Sequence, residues 1–290
     1  MVLDNLSTGH RGNLAPGARL IEGDVTEPAA VEAAMEGADG CFHLAAIASV
    51  ERCSQDWAGT HAVNLGGTIR VLEAARARRI PVVYASSAAV YGDQPTLPIG
   101  ETAPPRPLSA YGADKLGSEL HARVGGAVHG VATCGLRFFN VFGPRQDPRS
   151  PYSGVISIFS AAIAEGRPVI IHGDGHQTRD FIYVADVVAA LLAALDRAAP
   201  SAPVFNVCTG RPTRVLDLVA AIAAACGTEA RVVHGAARPG EIRHSLGDPT
   251  AAREALRLSE PVSLERGLAA VIAWIRAGRP DLAGGVALSR

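Results

Sequence analysis

Pro81-Val82-Val83-Tyr84-Ala85-Ser86 is a near-continuous apolar run of strand length. A strand with no polar alternation is buried on both faces, and such strands belong to parallel sheets covered by helices. Upstream, Val2-Leu3-Asp4 reads as the end of a strand and Asn5-Leu6-Ser7-Thr8-Gly9 as a loop. Residues 19–24 read as a second short strand, 28–35 as a helix and 40–45 as a third strand. A long helix is predicted over 57–78, with Leu65, Ile69, Leu72 and Ala75 on one face. Downstream come a proline-rich loop at 104–107, a helix through Tyr111 and a strand near 132–139. This alternation predicts an α/β fold with a parallel sheet.

Beyond Gly143-Pro144 the pattern loosens. Residues 148–154 read as loop, 155–165 as helix and 169–171 as strand. Helices are predicted at 184–195, 216–226 and 263–277, a strand at 204–207, and a frayed tail from 278. The expected division is a first domain over 1–145 and a smaller second one over 146–290, with segments near 181–210 returning to the first.

The chain has 290 residues, 48% hydrophobic and 19% charged, which is enough for a large core and typical of a globular protein. A net charge of -1 offers no basic face for nucleic acid or acidic lipid. Cys41, Cys53, Cys134, Cys208 and Cys226 are odd in number and form no CxxC pair, which fits reduced thiols and a cytoplasmic setting. No apolar stretch reaches membrane-spanning length. The histidines form no ligand set, so no metal is expected, and no G-x-S-x-G elbow is present.

Of the 27 basic residues only Lys115 is a lysine. It lies in Ser109-Ala110-Tyr111-Gly112-Ala113-Asp114-Lys115, where a helix puts it one turn after Tyr111 on the same face. A compact ammonium beside a phenol favours the phenolate, which predicts a depressed Tyr111 pKa and an acid–base role near neutral pH.

An ordered set of segments accompanies this pair. They are Asp4 to Gly9, Gly23-Asp24-Val25, His43-Leu44-Ala45-Ala46, Val63-Asn64 and Ser86-Ser87-Ala88-Ala89-Val90-Tyr91-Gly92. Arg137 to Arg145, Ser150 to Ile156, Gly173 to Phe181 and Arg238-Pro239-Gly240-Glu241 come after them. Together they resemble the extended short-chain dehydrogenase/reductase superfamily, most closely its UDP-glucose/UDP-N-acetylglucosamine 4-epimerases. The resemblance implies a Rossmann-like doubly wound sheet with a smaller α+β substrate-binding domain, NAD as cofactor, a UDP-sugar substrate and a homodimer built on helices at 57–78 and 109–130.

It also implies residue roles. Ser87, Tyr111 and Lys115 are expected to be catalytic. Asp4, Asn5, Asp24, Val25, Leu44, Ala45, Ala46 and Asn64, with Tyr111 and Lys115, are expected to hold NAD. An acidic Asp4 at a strand end suits an unphosphorylated ribose. Ser87, Asn140, Val155, His172, Arg179, Arg238 and Ser245 are expected around the substrate. Ala88-Ala89 replaces the Asp-Glu pair of the related 4,6-dehydratases, which disfavours water elimination. The small Ser245 stands where a bulky tyrosine would exclude an N-acetyl group.

The family's G-x-x-G-x-x-G loop and its first β-α unit have no counterpart here. The sheet is therefore expected to lack its central strand, the chain to be an N-terminally truncated form, and NAD to be held weakly. Another NAD-dependent nucleotide-sugar enzyme (a reductase or uronate epimerase) and a catalytically silent binding protein are the alternative readings.

Overall fold

A computed structural model describes residues 1–150, 153–237 and 242–278. The chain opens with β1 (Val2–Asp4), β2 (Leu20–Glu22), α1 (Pro28–Ala34) and β3 (Cys41–His43). Short helices α2 (Val50–Gln55) and α3 (Trp57–His61) lead through a π-helical turn, Ala62–Gly66, into α4 (Gly67–Arg78). Then come β4 (Val82–Ser87), α5 (Ala110–His129), β5 (Thr133–Phe138) and β6 (Asn140–Phe142).

The remaining elements are α6 (Val155–Ala164), β7 (Val169–His172), β8 (Thr178–Tyr183), α7 (Val184–Leu195), β9 (Val204–Val207) and β10 (Pro212–Arg214). After them come α8 (Val215–Cys226), β11 (Val232–Gly235), α9 (Thr250–Leu256) and α10 (Leu264–Arg276).

β4 is the strand that the apolar run requires. It is flanked by parallel partners in the order β3-β4-β5-β9. Val82 and Tyr84 pack under α4 and α5 with Val71, Leu72, Ala75 and Ala122. Val83 and Leu136 pack under α7 with Val187, Ala190 and Ala194. Each of the buried valines and leucines contributes about 1.5–3 kcal/mol, so both faces of this sheet are held by apolar burial. A third cluster joins α6, α8 and α10 around Ile156, Leu218, Ile222 and Leu268.

β1 and β2 form a separate parallel pair. The sheet is thus in two pieces, and an apolar groove of about 500 Å³ runs between β1 and β3, lined by Val2, Leu3, Cys41, Phe42 and His43 among others. In each of these strands one edge is paired and the other faces the groove. The loops that leave β1, β2 and β3 all emerge at one end.

Two features differ from the sequence reading. Along the long helix, Leu65 and Ile69 are only half-buried, whereas Asn64, Gly67, Thr68, Val71 and Leu72 are buried. The π turn inserts one extra residue and rotates the helix face downstream of it. In the second half, β6, β8, β10 and β11 carry no clean apolar pattern. β8 buries Asp180, which accepts from the Thr209 and Gly210 backbone N–H groups (2.8 and 2.9 Å) and the Thr209 hydroxyl (2.6 Å). A buried carboxylate with its bonds made inside the fold reads as a loop residue in sequence.

Candidate active site

α5 starts where the sequence says it must. The Ser109 hydroxyl caps the Gly112 N–H at 3.1 Å, and the helix ends at Gly130 in the left-handed conformation. Gly112 sets how closely this helix approaches β4. A Cβ there would lie 2.6 Å from the Ala89 carbonyl oxygen, so only glycine lets the first turn of α5 press on the turn after β4. That contact brings Tyr111 to Ser87.

Ser87 accepts from the Ala89 N–H at 3.1 Å, so its own hydroxyl proton is left to donate, and it shares a cavity wall with the Tyr111 phenol, near enough to favour the phenolate. Lys115 is buried; its ammonium donates to the Ala85 carbonyl at 2.9 Å and lies 5.8 Å from the centre of the Tyr111 ring. Burial pushes the Tyr111 phenol above its ordinary value, and the nearby Ser87 hydroxyl offsets only part of this. The depressed tyrosine pKa expected from the sequence is therefore not what this structure holds, because desolvation of a phenolate outweighs a cation turned toward a backbone carbonyl. Burial also lowers Lys115 to about 8, with Asp114 pulling in the opposite direction.

At the shared end of β1, β2 and β3 lies a cleft of about 340 Å³. Asp4, Asn5, Asp24, Val25, Leu44, Ala45 and Ala46 all line it. The acidic groups are set by local bonds. Asp4 accepts from the Leu6 N–H at 2.7 Å, and the Asn5 amide donates to Asp24 at 2.7 Å. Thr26 also donates to Asp24 and holds its carboxyl below the usual range. Asn64 differs from its expected place. It is fully buried, accepts from the Ile47 N–H at 2.7 Å and donates to the Ile47 carbonyl at 3.2 Å. Its amide is spent on fixing the 44–47 loop from behind.

Two further cavities meet at Asn140 and Arg179. One, of about 320 Å³, is lined by Ser87, Tyr111, Asn140, Arg179 and Ser245, with Ala88, Ala89, Ile99 and Leu108 among its apolar walls. The other, of about 420 Å³, is lined by Val155, His172, Gln177, Asn140 and Arg179. Asn140 donates to the Asp180 carbonyl at 3.1 Å, and Arg179 donates to the carbonyl of Thr178 at 2.9 Å. His172 is held through Nδ1 by the Ala236 carbonyl at 3.1 Å. Arg238 lies outside the described residues. No group of three or more histidine, cysteine or acidic side chains suited to a metal ion occurs among the described residues. None of their helices is long and apolar enough to cross a membrane.

Sequence reasoning missed the groups behind the site. Asp114 is buried between Tyr111 and Lys115 in sequence and pairs with His61 Nδ1 at 2.7 Å. Glu119 and Arg137 form a buried ion pair, 2.7 Å between Oε2 and Nη2. The signal available was spacing alone: Glu119 falls one turn after Lys115 on the same helix face.

Ser87, Tyr111 and Lys115 thus gather at the strand ends of a Rossmann-like sheet. The NAD dependent epimerase/dehydratase family model matches residues 1–208, and the chain belongs to that family. The UDP-glucose 4-epimerase of Mycolicibacterium smegmatis is 36% identical over 282 residues, covering 94% of this chain and 90% of the relative. The crystal structure of UDP-glucose 4-epimerase from Thermotoga maritima with UDP-glucose superposes with a TM-score of 0.91 at 33% identity, covering 96% of this chain and 90% of that one. The Thermus thermophilus UDP-glucose 4-epimerase complex with NAD gives a TM-score of 0.87, also at 33% identity, covering 94% and 90%.

Proposed function

We propose that this chain inverts C4 of a UDP-hexose or UDP-N-acetylhexosamine through a transient 4-keto sugar, with NAD in the cleft at the ends of β1, β2 and β3. The observation that carries the reading is the Ser87–Tyr111 pair at the wall of a sugar-sized cavity. That cavity opens past Asn140 and Arg179 into a second, nucleotide-sized one. An arginine fork and an amide at the junction suit a diphosphate between sugar and base.

The cleft fits the adenosine end of NAD. The Asp4 carboxylate stands at a strand end, where it favours ribose hydroxyls and repels a 2'-phosphate. Ala45 and Ala46 leave the loop low enough for a flat ring to pass. Bound NAD supplies acceptance of the C4 hydride and its return to the opposite face of the same carbon. The protein's part is the proton. Tyr111 takes it from the 4-hydroxyl only as the phenolate and gives it back, Ser87 donates a hydrogen bond to the reacting oxygen, and the nearby Lys115 charge offsets part of the desolvation cost of that phenolate. Ala88 and Ala89 line the same cavity and move no protons, which disfavours water elimination from the 4-keto sugar.

Substrate range is tested at Ser245. In Ser245→Tyr, turnover of UDP-N-acetylglucosamine is expected to fall by more than about tenfold, with UDP-glucose kept within about twofold, because one added ring fills only the space beside C2. Equal losses on both sugars would contradict the assignment. A panel including UDP-glucuronic acid separates this reading from a uronate epimerase, and product stereochemistry separates it from a reductase.

A homodimer is part of the same proposal, supported by an exposed apolar stripe on α5: Leu120, Val124 and Val128, at 49%, 55% and 66% exposure. Leu65 lies half-buried against Gly117 of the same helix. Two such faces pack as a four-helix bundle. Sedimentation should show a dimer that Val124→Glu converts to monomer; a monomeric parent chain sinks this part.

A further inference from the structure

We propose that the buried Glu119–Arg137 pair is a positioning device: it clamps the end of β4 against α5 so that Ser87 meets Tyr111. This rests on the reading of Ser87 and Tyr111 as the proton-handling pair.

Tyr111, Lys115 and Glu119 recur at four-residue steps along one face of α5. All three face the last residues of β4: Tyr111 shares a cavity wall with Ser87, Lys115 donates to the Ala85 carbonyl and Glu119 accepts from the Ser86 hydroxyl. Ser86 and Arg137 are register partners across β4 and β5, so a single carboxylate spans both strands. Arg137 donates from Nε to Oε1 at 2.8 Å and from Nη2 to Oε2 at 2.7 Å, a two-pronged geometry that fixes direction as well as distance.

The remaining Arg137 nitrogen continues outward. Nη1 donates to the Tyr91 hydroxyl at 2.7 Å and the Glu101 carbonyl at 3.1 Å. Tyr91 donates to Asn206 at 2.6 Å, and Asn206 donates to the Ile99 carbonyl at 2.9 Å. The network therefore ends on the Ala88–Gly92 turn and on Ile99, both walls of the cavity that holds Tyr111, yet its own charged members stay behind those walls. Stability alone is a weak reason for such a pair, since apolar residues of equal volume usually serve a core as well. What the apolar replacement lacks is a directional hold on Ser86, one residue from Ser87.

Two variants test the clamp. Ser86→Ala keeps the ion pair and removes its link to β4. Glu119→Leu with Arg137→Met removes the pair without stranding a charge. The readouts are kcat and KM with UDP-glucose and UDP-N-acetylglucosamine, and the Tyr111 titration. The titration is the phenolate absorbance of each protein minus that of the same protein carrying Tyr111→Phe, and it needs no turnover. The groups facing that phenol are Ser87 from β4, Cys53 from α2 and Lys115 from α5.

In Ser86→Ala we expect kcat to fall about tenfold with KM within about twofold, as for a reacting group moved by a fraction of an ångström. Tyr111 should titrate at higher pH in both variants, because the Ser87 hydroxyl that favours its phenolate loosens. Unchanged kcat and an unchanged titration in folded Ser86→Ala overturn the clamp, whether or not the double variant folds. A titration shift in a chain that turns over no UDP-sugar fails the proposed function and leaves the clamp standing.

Discussion

Tyr111→Phe is expected to lower kcat by about a thousandfold while leaving UDP-sugar affinity within a few-fold of the parent. The hydroxyl is the atom that handles the proton, and phenylalanine keeps the ring. That ring contributes to the wall of the cavity, and the Lys115 ammonium lies near its face. Among the described neighbours none substitutes: Ser87 accepts a backbone bond and stays a neutral donor, burial holds the Cys53 thiol toward its neutral form, and Ala88 and Ala89 carry no titratable group. Steady-state rates beside calorimetric affinities check this. A variant that keeps its rate removes Tyr111 from the chemistry.

Lys115→Met should show the second large effect, with kcat down about a hundredfold, and it separates catalysis from folding. A buried ammonium costs the fold desolvation, and methionine of similar length avoids that cost while keeping the contacts of the stem. The lowered pKa determines the sign of the pH dependence. Folded Lys115 releases its proton near about 8, whereas the unfolded chain holds it to about 10.5. Between those values the unfolded state binds more protons, so Lys115 makes the parent chain more stable as pH rises, by on the order of 3 kcal/mol across the window. Below about pH 8 both states are protonated and this gain is absent. Lys115→Met lacks this contribution, so its stability difference from the parent should change across that window. Denaturant titrations of both proteins at either end give the answer, and a difference that does not change with pH refutes the assignment. Parent activity should also decline above about pH 8 as the charge is lost.

Much of this was legible because the relevant physics is local. A short apolar run rich in β-branched and aromatic residues, opened by a proline, reads as a buried strand, and β4 is one. The bounds of α7 and β9 came from period and flanking residues alone. The lone lysine falls one turn after Tyr111 on α5, as its spacing required, and the strand-end residues of β1, β2 and β3 fell into one cleft because parallel strands end on the same side. What stayed hidden depends on contacts between distant segments. Asn64 looks like a cleft residue until its amide is seen bonded to Ile47. Asp180, in β8, looks like loop until Thr209 and Gly210 satisfy it. Arg137 looks like one arginine among many until Glu119 and Tyr91 surround it, and the raised Tyr111 pKa reflects burial that no spacing rule conveys.

The most direct test of the central claim uses UDP-galactose carrying deuterium at C4. Hydride removal and return at one carbon, with Tyr111 handling only the hydroxyl proton, predicts UDP-glucose that retains deuterium at C4 and takes up no hydrogen there from water. Deuterium lost to solvent, or a product not inverted at C4, would contradict the account.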